Sequence, residues 1–369
     1  MLRAVLWEKF LHNLGLYIHI PFCKKKCAYC DFYSLTMGEN LKDEYLSALT
    51  GDIKKWGGLI DRPFDTVYFG GGTPSILESD ISPLLASIKE NFNISENAEI
   101  TAEVNPDVSE LFLESAYSSG VNRISVGIES SNDVMLNTLG RTHNRNGAEK
   151  AVKRIKNAGF QNISADLMIG LPQSSIKSVK EDIDFLVSLN IPHISAYILK
   201  VEENTKFSKS GIEIPDNDEQ ANQYLFMCSE LEKHGFLHYE ISNFAKQGFE
   251  SRHNLKYWNC EEYLGLGPSA HSFIDGKRFF YKRDIKSYIK SPKTEFDSIG
   301  GTDEEKLMLK LRLKKGIDLS DNILDNIKGS LQPFLKSDYI KLNGNNLSLT
   351  DKGMLVSNLI ITELSELIL

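Results

Sequence analysis

Leu16-Tyr17-Ile18-His19-Ile20-Pro21-Phe22-Cys23-Lys24-Lys25-Lys26-Cys27-Ala28-Tyr29-Cys30 is the stretch on which the fold turns. Leu16–Ile20 is short, apolar and partly β-branched, so it reads as a strand, and the cysteines follow where the chain leaves that strand's C-terminal end. Three thiolates at spacings of four and three can wrap one loop around one face of a metal cluster. A structural zinc site takes four ligands, and so does the usual [4Fe–4S] cluster. With three cysteines a cluster keeps one iron open to an outside ligand, whereas zinc would need a distant histidine, Cys228 or Cys260 to complete it.

Outward from that loop, apolar runs alternate with helix-length segments as far as residue 200. Strands are expected at Leu16–Ile20, Thr66–Phe69, Glu99–Val104, Arg123–Gly127, Ile163–Leu167 and His193–Leu199. Helices are expected at Leu41–Trp56, Ser79–Asn91, Ser109–Ser118, Asn144–Ala158 and Ile176–Leu189. Strands buried on both faces and separated by helices imply a parallel sheet with right-handed crossovers, either open and doubly wound or curled into a barrel. Beyond residue 200 the regularity fades. Glu202–Gln220 is polar and turn-rich, a helix is expected from Gln220 to Lys233, and 238–272 reads as loop-rich. Asp303–Lys315 reads as a charged amphipathic helix, and Leu347–Glu363 as a strand, a turn at Asp351–Gly353 and a last helix. The expected division is an N-terminal extension over 1–15, a core over 16–200, an extension packing on that core over 201–300, and a small winged-helix-like α+β unit over 301–369. In that last unit Lys310, Arg312, Lys314 and Lys315 read as a solvated helix face.

Composition narrows the function. The 369 residues carry 42 Lys and Arg against 50 Asp and Glu, so the formal net charge is −8 and no overall positive field draws nucleic acid or anionic lipid. The longest uncharged stretch, Phe185–Leu199, contains Asn190, Pro192 and His193 and is too short and too polar to span a bilayer. Met1–Asn13 carries Glu8, Lys9 and His12 and does not read as a targeting signal, so a cytoplasmic location is expected. Five cysteines, three of them within eight residues, do not make a secreted disulfide scaffold.

Polar groups recur just where the expected strands end. These are Gly70-Gly71-Gly72-Thr73-Pro74, Glu103-Val104-Asn105-Pro106, Gly127-Ile128-Glu129-Ser130 and Asp166 ahead of Gly170-Leu171-Pro172. In a barrel of parallel strands chemistry gathers at that end. The glycines let backbone approach a ligand, or simply make a turn. The carboxylates accept from ribose hydroxyls or an ammonium, or else cap helices. Arg141 suits a carboxylate of ligand or protein.

Cys-x3-Cys-x2-Cys after a strand resembles the signature of the radical S-adenosylmethionine superfamily. The resemblance implies a partial (β/α)6 TIM-like barrel with a [4Fe–4S] cluster at the strand C-termini. Cys23, Cys27 and Cys30 would hold it, and the open iron would chelate the amino and carboxylate groups of S-adenosylmethionine. The run Leu16–Cys23, the triple-glycine loop, Glu103–Pro106, Asp166 with Gly170–Pro172, His238–Ala245 and Gly265–Ser272 are together similar to the coproporphyrinogen III oxidase-like group. By that resemblance Tyr17, Tyr29, Gly71, Gly72, Thr73, Glu103, Glu129, Arg141 and Asp166 contact S-adenosylmethionine. Glu129 departs from the glutamine usual there, which keeps the acceptors and removes a donor.

Two features choose within the group. Its oxygen-independent decarboxylase carries a fourth cysteine two residues beyond the triad, where this chain has Phe32. The HemW-type haem chaperones lack that cysteine and carry His-Asn-x-x-Tyr-Trp, matched here by His253-Asn254-Leu255-Lys256-Tyr257-Trp258. The resemblance thus implies haem as cargo, handed to an acceptor such as a respiratory enzyme. His253 is the candidate axial ligand, with Cys260 as a competing thiolate. The alternatives are an anaerobic oxidative decarboxylase of coproporphyrinogen III and, more remotely, a zinc-stapled nucleic-acid-binding protein.

Overall fold

The computed structural model describes residues 13–36 and 41–368. The expectation for Met1–Asn13 falls outside these, Asn13 apart. Six parallel strands form the heart of the chain: β1 (Leu14–Ile20), β2 (Phe64–Gly71), β3 (Ile94–Val104), β4 (Arg123–Glu129), β5 (Asn162–Ile169) and β6 (His193–Ile198), adjacent in that order. Between them run α1 (Leu41–Gly57), α2 (Ile81–Asn91), α3 (Glu110–Ser119), α4 (Asp133–Leu139), α5 (Arg145–Asn157) and α6 (Ile176–Ser188). The fold is the partial (β/α)6 barrel. Helix ends follow local chemistry. Ser109 caps α3 by accepting from Phe112 N–H, Gly120 closes it in the left-handed region, and Ser175 and Ser178 cap α6 reciprocally.

Each strand alternates. Leu16, Ile18 and Ile20, Val67 and Phe69, Ile124 and Val126, Ile163 and Ala165, and Ile194 and Ala196 are buried in one apolar core with the helices. The residues between them carry the polar groups: Tyr17 and His19, Thr66 and Tyr68, Thr101 and Glu103, Arg123 and Ser125, Ser164 and Asp166, His193 and Ser195. The concave face is therefore polar although most of it is buried, so the strands are buried on both faces as expected but apolar on only one. A water-excluding core lies only between sheet and helices.

The stretch expected to be loop-rich holds short strands and a helix between its loops, and further strands follow it. β7 (Leu237–Glu240) and β8 (Asn243–Ala245) extend the sheet beyond β6, and β9 (Tyr263–Leu266), β10 (His271–Ile274), β11 (Lys277–Tyr281) and β12 (Thr294–Ile299) extend it beyond β1. These strands are short and weakly apolar, and pairing with distant edges supplies what their sequences do not. α7 (Asn217–Lys233) precedes them, and α8 (Arg252–Trp258) carries the chain from one edge of the sheet to the other across the inner face. There Glu99 of β3 accepts from the backbone N–H groups of Arg252 and His253 at the α8 N-terminus.

The last part holds α9 (Asp303–Lys310), a three-stranded antiparallel sheet of β13 (Ile317–Asp318), β14 (Ile340–Asn343) and β15 (Asn346–Leu349), short helices over Asp321–Ile327 and Gln332–Lys336 between β13 and β14, and at the end α10 (Asp351–Leu355) and α11 (Ser357–Ile368). α9 stops at Lys310 rather than Lys315, and the expected turn at Asp351–Gly353 is the start of a helix capped by Thr350. The basic run is not a solvated helix face. Lys314 pairs with Asp351, and Arg312 lies 5.7 Å from the centroid of the Trp258 ring and donates to Asn358 at 2.9 Å. No helix among the described residues is long and apolar enough to cross a membrane.

Candidate functional site

The cysteine loop leaves β1 at its C-terminal end and is held from several sides. Phe22–Cys23 pairs with Leu35–Thr36, Ala28 N–H donates to Leu139 O at 2.9 Å, and Phe207 N–H donates to Ala28 O at 3.0 Å. Leu139, Met168, Leu171, Leu199 and Phe207 form a small apolar cluster against Ala28 and Tyr29. The turn-rich segment 202–220 thus contributes a buried anchor, Phe207, that its polar composition hides.

Cys23, Cys27 and Cys30 are free thiols. Burial, helped by the neighbouring Cys27 and Cys23, pushes the Cys30 thiol up to about 11. A hydrogen-bonded arc joins two of the three. Thr73 Oγ1 lies 3.5 Å from Cys23 Sγ and accepts from Asn105 Nδ2 at 3.1 Å; Asn105 Oδ1 accepts from Arg141 Nη2 at 2.9 Å; Arg141 Nη1 lies 3.5 Å from Cys27 Sγ. Asn105 belongs to the Glu103–Pro106 motif but was not among the expected site residues, because only its position between Thr73 and Arg141 shows its role.

The carboxylates expected at the strand ends converge. Glu129 lies 3.6 Å from Arg141 and accepts from Tyr29 OH at 2.8 Å. Its φ of 71° is unusual for a residue with a side chain and coincides with a register shift between β4 and β5. Burial opposes the Arg141 charge, but Glu129, Tyr29 and Cys27 around it raise its pKa overall. Glu103 accepts from Tyr68 OH at 2.8 Å and Gly71 N–H at 3.2 Å. Burial raises the pKa of both Glu103 and Asp166, and in Asp166 the charges of Glu129 and Glu103 add to it. Both remain partly exposed, so they line a hollow. Tyr17 Oη is 3.0 Å from His19 Nδ1, and its ring is stacked 6.2 Å from that of Tyr68.

The glycines do less for a ligand than their sequence implies. A Cβ on Gly71, whose φ is +106°, would lie 2.5 Å from the His19 ring, and one on Gly72 would lie 2.5 Å from Phe22 O. Gly71 N–H is held by Glu103 and Gly72 N–H by Ile20 O at 2.8 Å. Their missing side chains make room for the protein itself.

The structure does not bring His253 to this rim. Its Nδ1 is 2.8 Å from Thr66 Oγ1 and its Nε2 2.7 Å from Tyr257 OH, and the ring stacks 5.1 Å from that of Tyr68. Thr66 lies toward the start of β2, so the imidazole plugs the opposite end of the barrel, with both nitrogens engaged. Burial pushes its pKa down to about 3. Nor do Cys228 and Cys260 complete the triad. Cys228 sits with His238 and Asp351, and Cys260 Sγ is 3.8 Å from Glu305.

Three free cysteines on one loop, with a guanidinium against one of them and a polar hollow beside them, suit a cluster with an open iron and a ligand carrying amino, carboxylate and ribose groups. Fold and site define a radical S-adenosylmethionine protein. The Radical SAM superfamily model matches residues 17–186, and the HemN C-terminal domain model matches 304–356. The fold is shared with the solved structure of coproporphyrinogen III oxidase (HemN) from Escherichia coli, at a TM-score of 0.81 and 22% identity over 95% of this chain and 89% of that one. Within the superfamily the chain belongs to the HemW family. It is 34% identical to the heme chaperone HemW of Lactococcus lactis over 93% of this chain and 94% of that protein. It is also 34% identical to that of Haemophilus influenzae, over 97% and 98%. The Bacillus subtilis relative is 38% identical over 74% of each chain.

Proposed function

We propose that this chain is a haem chaperone that holds a [4Fe–4S] cluster on Cys23, Cys27 and Cys30, binds S-adenosylmethionine beside it, and carries haem to an acceptor such as a respiratory enzyme. The observation that carries the reading is similarity to HemW proteins over nearly the whole of both chains, C-terminal unit included. A cytoplasmic location goes with it. Phe32 supports it too: it stands 71% exposed beside the cysteine loop, at the position where the decarboxylase has a further cysteine.

At the cluster, S-adenosylmethionine would meet the open iron through its amino and carboxylate groups. Glu103 and Asp166 offer acceptors to its ammonium and ribose, Tyr17 and Tyr29 offer rings and hydroxyls, and the arc through Thr73, Asn105 and Arg141 fixes the loop. The chemistry supplied there by a bound, reduced cluster would be electron transfer to the cofactor. The residues around it hold the cofactor and limit access of water. His253 enters as haem ligand only if its ring gives up Thr66 and Tyr257, so haem binding by this chain does not depend on that assignment.

The test is a pair of anaerobic incubations of cluster-loaded protein. Haem should bind stoichiometrically and pass to an apo-haem protein. Coproporphyrinogen III with S-adenosylmethionine and reductant should be returned unchanged. Stepwise loss of carbon dioxide would instead make the chain a decarboxylase.

A further inference from the structure

The concave face carries a cation that its neighbours do not satisfy. Arg123, the first residue of β4, points to the inner face, is 2% exposed, and has its Nε buried with no partner. Among the described residues no hydrogen bond or ion pair reaches either of its terminal nitrogens. Arg141, Glu99 and Glu103 on that face are engaged, with Glu129 and Asn105, with the α8 backbone, and with Tyr68 and Gly71. A guanidinium does not shed its proton, so burying one without a partner is costly and calls for an anion.

The register locates it: Arg123 lies level with Thr101 of β3 and, through it, with Tyr68 of β2, while Glu103 stands two residues further along β3. Neither Glu103 nor Asp166 comes within ion-pair distance of it. On the same face Tyr197 of β6 is 42% exposed, and Tyr68, Glu103 and Asp166 are partly exposed. The distance also decides between ligands. Arg123 and Glu129 begin and end one strand of seven residues, a span of about 20 Å at the usual rise. A carboxylate bound to iron at the cysteine loop is at the far end of that span.

We propose that Arg123 is the anion anchor of the barrel floor and takes a carboxylate of a second ligand lying inside the barrel, through paired N–H donors. The identity of that carboxylate rests on the haem reading above, in which it is a propionate of the porphyrin. The anchor itself rests on the geometry.

The test has two arms on cluster-loaded protein. In the first, sodium propionate up to about 100 mM, against chloride at equal ionic strength, should raise the melting temperature of the unchanged chain but not that of Arg123→Gln. No rise in the unchanged chain, or an equal rise in both, overturns the anchor. In the second, haem should bind the unchanged chain about tenfold or more tightly than its dimethyl ester, the difference expected of a charged hydrogen bond, and Arg123→Gln should erase the preference. Equal affinities with a propionate response intact overturn the assignment of the carboxylate to haem. If haem does not bind at all, the chaperone reading fails while the first arm still judges the anchor. If Arg123→Gln does not fold, Arg123→Lys keeps the charge without the fork and should weaken the propionate response. The haem and ester comparison needs no variant.

Discussion

Arg141 Nη1 lies 3.5 Å from the Sγ of Cys27, although the two residues are 114 positions apart. The contact closes the arc that begins at Cys23 and passes through Thr73 and Asn105. A cation there favours the thiolate that a cluster requires and stiffens the loop. Arg141→Ala should therefore load less iron and release it about tenfold faster to a chelator, the scale of one charged hydrogen bond. Visible absorbance against time after chelator addition measures this, with circular dichroism to show that the fold persists. An unchanged release rate would mean that the arc does not support the loop.

The parallel strands and their helices were legible because apolar residues recur at the right period. α4, at seven residues, was too short to stand out. The cysteines and the rim carboxylates were legible as a group because they lie just past a strand or in its C-terminal half, and parallel strands bring those ends together. What escaped depends on contacts between distant segments. Nothing near His253 signals that α8 crosses to β2 and β3, so the motif was clear and its place at the floor was not. Arg123 looks ordinary at the start of a strand until the fold shows that no partner reaches it.

Gly71→Ala should be costly although it adds one methyl group. The backbone at φ +106° disfavours any side chain, and the new Cβ would sit 2.5 Å from the His19 ring, which Tyr17 and Tyr33 O hold in place at 3.0 and 2.9 Å. A loss of about 2–4 kcal/mol in unfolding free energy is expected. Gly211→Ala, also at positive φ but with nothing near its Cβ, should cost about 1 kcal/mol. Equal losses at the two glycines would show that contact with His19 is not the cause.

The C-terminal unit is fastened to the core through Asp351. Its Oδ1 accepts from His238 Nδ1 at 2.8 Å and also pairs with Lys314. Burial lowers the His238 pKa, so the neutral imidazole donates its Nδ1 proton, and together with Lys314 it holds the Asp351 carboxyl below the usual range against the effect of burial. Asp351→Ala should cost about 1–2 kcal/mol. The loss should appear first as faster amide exchange in β14 and β15. Uniform acceleration across the six-stranded sheet would contradict a local fastening.

His253 makes the acid response of the fold predictable. The ring is neutral, both nitrogens are used inside the protein, and burial pushes its pKa down to about 3 from an ordinary value of 6.5. His193, between Ser164 Oγ at 2.7 Å and Tyr239 OH at 2.8 Å, is shifted the same way by burial. Below about pH 6.5 the unfolded chain binds protons that the folded chain refuses, so stability is full above that pH and falls as pH drops toward the folded values. Each histidine contributes a slope of up to about 1.4 kcal/mol per pH unit in that window. Urea midpoints from pH 8 to 5 should be flat at first and then decline. His253→Gln should begin lower at pH 8, by about 2–4 kcal/mol for the two displaced hydrogen bonds and altered packing, and then decline less steeply. A variant with the same acid slope as the unchanged chain would show that this ring opens to water before the fold does, and would make it available as a ligand after all.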